Sequence, residues 1–267
     1  MCGWSGLPSG ADCVWVNVAT VGAAEPGFLS VHAAGPMPPT STVNYNLIGA
    51  RSNAAPVAFT TGTDVVFDTT GAVDVIGDLV GAFVQEGAGF RVAGPLRVDD
   101  SRSIDGPVAA ETEYAVDVRA PAGATGVVAT VAVIADAPGF ITAYACGTGM
   151  PDVSSVNVGP GVTAGAVVSR LSDDGRVCFW SSSDVELVVD VTGYWTPDGA
   201  LDYQGLDPAR LLDTREDSAR YVGRLGDNQV VEIPVQSLVG APANIHGVVV
   251  NLTTLDTDDH GFVTVYP

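Results

Sequence analysis

Short valine-, threonine- and alanine-rich runs follow one another along this chain, each bounded by glycine, proline, aspartate or serine. Apolar runs of that length with turn residues at both ends mark β-strands, and no stretch carries the 3.6-residue period of an amphipathic helix. Between 94 and 200 the pattern predicts strands over 115–119, 126–134, 140–145, 153–158, 165–171, 175–180 and 185–195. Val116-Asp117-Val118-Arg119 alternates apolar with charged and should wet one face. Val248-Val249-Val250 is apolar throughout and reads as an inner strand covered on both sides.

The pattern repeats. A valine-rich strand, a short turn, then Gly-Phe and a second strand occur as Val14-Trp15-Val16-Asn17 to Gly27-Phe28-Leu29-Ser30-Val31. They return as Val127-Val128-Ala129-Thr130 to Gly139-Phe140-Ile141-Thr142, and again as Val248-Val249-Val250-Asn251 to Gly261-Phe262-Val263-Thr264. The Gly-Phe pairs begin at 27, 139 and 261, which gives periods of 112 and 122 residues, the size of a sandwich domain and far longer than a solenoid repeat. Val73 to Phe83 matches Val185 to Trp195, placing Asp78 against Asp190 and Gly81 against Gly193. Pro95-Leu96-Arg97-Val98-Asp99-Asp100-Ser101-Arg102 returns as Pro208-Ala209-Arg210-Leu211-Leu212-Asp213-Thr214-Arg215. The expected fold is all-β, with tandem antiparallel β-sandwich repeats: a partial first repeat over 1–93, a complete middle one over 94–200, and the start of a third over 201–267.

Cys146 and Cys178 fall where the first repeat has Ala34 and Val66, so both are lost together. Joint loss is what a disulfide shows, since half of one is useless, and the pair implies an oxidising compartment. Cys2 and Cys13 are the remaining two and form a second expected bond. A metal site is a poorer reading of the four, because none is spaced Cys-x-x-Cys and the three histidines are scattered at 32, 246 and 260.

Charge narrows the partners. The net charge is −20, from 31 acidic residues against 11 basic ones, and no lysine is present. So acidic a surface repels phosphate backbones and anionic lipid, so neither nucleic acid nor peripheral membrane binding is expected. The longest apolar stretch, 126–135, is half the length of a membrane helix, so no membrane insertion is expected. Met1-Cys2-Gly3-Trp4-Ser5 has no basic start or apolar run, and any export signal is expected to lie outside the chain.

The polar motifs read mainly as structure. Arg97, Asp100 and Arg102, with their counterparts Arg210, Asp213 and Arg215, fit ion pairs in which the first arginine grips Asp100 or Asp213 and latches the opening strand. Their recurrence suits a role in the fold better than an anion site. Gly3-Trp4-Ser5-Gly6 fails the nucleophile-elbow spacing at Leu7, no triad forms around the histidines, and no enzyme or cofactor is expected. Asp256, Asp258 and Asp259 carry the carboxylates a calcium loop would use, but the equivalent turns of the other repeats lack them, so a solvated hairpin turn is the better reading. Trp15 and Trp195 align with apolar positions and belong inside. Trp180 aligns with Asp68 and should face outward, leaving Trp180, Ser181 and Ser182 as sugar-contact candidates.

The blocks Pro208 to Arg215, Gly139 to Gly147 and Val188 to Trp195 resemble a repeat of secreted actinobacterial surface proteins, over nearly the whole chain. The resemblance implies an accessory module beside hydrolase or wall-associated domains, or in tandem arrays, without an activity of its own. It leads to a non-catalytic structural or adhesive module, extracellular or on the cell surface, with neighbouring repeats or protomers, a filament among them, or extracellular polysaccharide as partners. A carbohydrate-binding module attached to a secreted hydrolase is the alternative. The first repeat lacks the cysteines and the Arg motif, and so needs neighbours. Either 206–235 supplies its missing strands, in this chain or another, or the chain is cut from a longer array, and the duplicated Gly-Phe hairpin favours the latter.

Overall fold

The computed structural model describes residues 11, 13–47, 49–58, 64–84, 87–104, 106–203, 210–215, 221–235, 244–255, 257–258 and 261–266. It is almost entirely antiparallel β, in two sandwich units. The first unit comprises β1 (Cys13–Val21), β2 (Gly27–Ala33), β3 (Val43–Tyr45), β4 (Arg51–Ala58), β5 (Val65–Thr69) and β6 (Asp74–Phe83). The second comprises β7 (Gly89–Asp100), a single helical turn α1 (Ser101–Ile104), β8 (Glu113–Asp117), β9 (Gly126–Ala135), β10 (Gly139–Ala145), β11 (Val156–Val158), β12 (Gly161–Arg170), β13 (Arg176–Ser181) and β14 (Val185–Thr196). The division expected between 93 and 94 falls inside β7, whose length runs along β14.

In the first unit the sheet β4-β1-β6 covers the sheet β3-β2-β5, and in the second β12-β9-β14-β7 covers β11-β10-β13-β8. Strand for strand these are the same sandwich, with one strand fewer in each sheet of the first unit among the described residues. Each unit has its own core: Val16, Val18 and Leu29 are fully buried in the first, and Val131, Ile141, Val177, Leu187 and Val189 in the second. The units touch where β4 meets β11 and β12, with the Asn157 amide donating to Ser52 Oγ at 2.9 Å and the Asn17 side chain donating to the Ser154 carbonyl. That contact explains why β1 is buried on both faces rather than on alternate residues.

Prolines sit where a ladder can spare a donor. Pro56 lies on β4, at a sheet edge, and Pro95 on β7, also an edge, inside the stretch where the register with β14 shifts. The same stretch contains Gly193, where a Cβ would lie 2.1 Å from Cζ of Phe90, so the ring rests directly on the backbone.

Tyr194 fastens the second unit from inside. Its buried hydroxyl donates to the Val118 carbonyl at 2.7 Å and approaches that of Arg119 at 3.3 Å, and burial raises its pKa. Tyr194→Phe leaves the Val118 carbonyl without this donor, at a cost of about 1–3 kcal/mol. A fall in the urea midpoint at unchanged m-value is the expected result, and an unmoved midpoint refutes it.

The strand expectations for the second unit hold within a few residues, and Val116 and Val118 are buried between exposed Asp117 and Arg119. The expectation for Val248-Val249-Val250 does not hold. These residues lie in no strand and are 45%, 57% and 42% exposed. Valine favours a strand only when a neighbouring edge offers its hydrogen bonds, and none of the described strands pairs with these residues.

Candidate functional site

A cluster of linked ion pairs lies where β7 turns into α1 beside β14. Arg97, on the edge strand, holds Asp190 of β14 in a two-point contact, Nε to Oδ1 at 2.5 Å and Nη2 to Oδ2 at 2.9 Å. Its Nη1 reaches Asp100 at only 3.5 Å. Asp100 is gripped instead by Arg102, with Nε to Oδ1 at 2.8 Å and Nη2 to Oδ2 at 2.7 Å. The expected bidentate partner of Arg97 is therefore corrected from Asp100 to Asp190. An i,i+3 carboxylate on an extended strand cannot face both oxygens to the guanidinium, whereas the adjacent strand can. The Asp190 hydrogen bond raises the already high Arg97 pKa, and the Arg102 hydrogen bond pulls Asp100 below the usual carboxylate range.

The counterpart cluster keeps half of this arrangement. Arg215 grips Asp213 with Nε at 2.9 Å and Nη2 at 2.7 Å, reproducing the Arg102–Asp100 geometry, and its hydrogen bonds hold Asp213 well below the usual range. Arg210 makes no ion pair among the described residues: it donates to the Pro39 carbonyl at 2.6 Å and only adds, by its charge, to the lowering of Asp213.

The disulfide between Cys146 and Cys178 is present, joining the end of β10 to β13. Cys13 is buried at 3% exposure at the start of β1, and Cys2 lies outside the described residues. Beside the bond, Tyr144 donates to Glu113 at 2.5 Å. Burial, then that hydrogen bond, pushes its phenol up to about 12. In the other unit the buried His32 ring sets Nε2 3.0 Å from Asp68 and Nδ1 2.7 Å from the Ala33 carbonyl.

Of the sugar-contact candidates, Trp180 is half-buried on β13 with its ring 5.5 Å from that of Phe140. Ser182 accepts from the Phe140 amide at 2.9 Å. Ser181 is corrected: it is 1% exposed and donates to the Ser183 carbonyl, because strand alternation that turns Trp180 outward turns its neighbour in. Trp15 is buried, while Trp195 is half-buried against Phe90.

Of the calcium candidates, Asp256 and Asp259 lie outside the described residues, and Asp258 pairs with Arg224 at 2.6 Å. Among the described residues no group of three or more metal-ligating side chains converges. A groove that sequence reasoning missed is lined by Phe90, Arg91, Val92, Asp198, Leu201 and His246. It joins strand starts and ends far apart in the chain, so no local motif signals it.

No protein-family model matches this chain, and no curated protein matches it. Among solved structures, the crystal structure of YhhW from Escherichia coli aligns over 69% of this chain and 76% of that one, at 8% identity and a TM-score of 0.19, an overlap that carries no weight for fold or function. No helix among the described residues is long and apolar enough to cross a membrane.

Proposed function

We propose that this chain is a non-catalytic structural or adhesive module of a secreted or cell-surface protein, serving as a spacer or assembly subunit. The observation that carries this reading is the Arg97–Asp190 contact. Two linked charged groups of the described residues are spent on fastening an edge strand, with guanidinium and carboxylate oxygens committed to each other. The Cys146–Cys178 bond supports an oxidising destination, and the net charge of −20 supports solubility in an extended array and against nucleic-acid partners.

The test is fractionation of the producing cells. The chain is expected on the surface or in the medium, degraded when protease is added to intact cells, with Cys146 and Cys178 refractory to alkylation before reduction. Recovery in the cytosol with both thiols alkylated would sink the reading. Retention on insoluble cell-wall polysaccharide, lost in Trp180→Ala, would favour the carbohydrate-binding alternative, for which the Phe140–Trp180 ring pair is the supporting feature.

A further inference from the structure

Among the described residues the two units differ by one strand in each sheet, and the difference leaves marks. In the second unit β7 flanks β14 and β8 flanks β13; in the first, β6 and β5 are outermost. Positions that match in sequence are buried in one and bare in the other. Leu187 and Val188 are 1% and 5% exposed, whereas their counterparts Val75 and Ile76 are 37% and 52% exposed. Gly193 carries the Phe90 ring against its backbone, whereas a Cβ on its counterpart Gly81 would meet nothing within 4 Å. Asp190 is held by Arg97. Its counterpart Asp78 has no ion pair or side-chain hydrogen bond among the described residues, and burial raises its pKa.

The chain holds the complement of these vacancies. Phe90, Arg97 and Asp100 recur at one spacing as Tyr203, Arg210 and Asp213, and the hydrogen bond Arg210 makes among the described residues goes to the Pro39 carbonyl, with no two-point contact to a carboxylate. Tyr203 is already at the right end of β6. Its ring stacks on Phe83 at 4.7 Å, where Phe90 meets Trp195, the counterpart of Phe83, at 5.3 Å.

We propose that the open edge of β6 is a docking site for the chain's own segment beginning at Tyr203, with the Tyr203 ring over Gly81 and Arg210 in a two-point contact with Asp78. The Arg97–Asp190 contact is its template. A bidentate charge-assisted pair outweighs a single bond to an exposed carbonyl. The tether through Leu201, bridged to Phe90, gives the segment a high effective concentration that a separate molecule lacks. The site stands whatever role the chain has outside the cell.

Two substitutions in the full chain decide the matter. Gly81→Val is expected to lower the thermal midpoint of the first unit by about 3 °C or more, because it blocks the ring seat. On a vacant edge the same change removes a flexible glycine from a strand and raises the midpoint, which would overturn the proposal. Asp78→Arg and Arg210→Asp should each lower the midpoint, and the double exchange should recover most of the loss, at a midpoint independent of concentration and in a particle of monomer mass. Additive effects overturn the pairing. Recovery of the double exchange only as a dimer in light scattering, with a concentration-dependent midpoint and with recovery also on mixing the two single variants, overturns the assignment to the chain's own segment and gives the site to a second copy.

Discussion

Replacing Cys146 and Cys178 with alanine should lower the thermal midpoint of the second unit by on the order of 10 °C. The bond spans a sequence separation of 32 residues that contains β11, β12 and the start of β13. By the chain-entropy model, releasing a loop of that size restores about 3–4 kcal/mol of freedom to the unfolded chain. The native core loses little, because Cys178 is fully buried between β10 and β8 and alanine removes only the sulfur. The first unit's core contains neither cysteine, so its transition should stay in place. Calorimetry of the native chain and the double variant reads both, and equal midpoints for the second unit would show that the bond contributes nothing.

Leu187→Ala is the single substitution with the largest expected cost, about 2–5 kcal/mol. Leu187 is 1% exposed on a strand flanked on both sides by β9 and β7, and its amide is held at 2.9 Å by the buried Ser101 hydroxyl. The backbone pinned there leaves the cavity little means of collapsing. Ile104, three residues beyond Ser101 but 64% exposed, supplies the control, with Ile104→Ala expected within about 0.5 kcal/mol. Urea titration of the three chains measures the difference, and similar midpoints for Leu187→Ala and Ile104→Ala would contradict the assignment of the core.

The fold was largely legible because β-sandwich strands announce themselves locally. The 112-residue spacing of Gly27-Phe28 and Gly139-Phe140 located the repeat, and the joint loss of cysteines at 34 and 66 identified the disulfide. What escaped depends on register. Asp78 and Asp190 were seen to recur, yet nothing local ties Asp190 to Arg97, since the pairing passes through two register shifts in β14. The nearer Asp100 drew the pairing because sequence distance stood in for spatial distance. Ser181 was readable and misread, for the alternation that turned Trp180 outward dictates a buried neighbour. Val248 to Val250 fail for a different reason: apolar β-branched residues describe what a strand needs, and the rest of the sheet must supply it.

Gly89 and Thr196 are direct partners across the antiparallel pair of β7 and β14, so the chain enters and leaves the second unit at the same end of the same ladder. Tension between the flanking segments therefore acts on one pair of hydrogen bonds at a time and peels β7 away like a zipper, instead of shearing the whole ladder at once. The Arg97–Asp190 contact stands partway along that path as a first checkpoint. Beyond it, the covalent link from 146 to 178 keeps the intervening strands from ever being drawn out straight. A tethered array of such units would lengthen at low force in limited steps, as a shock absorber does.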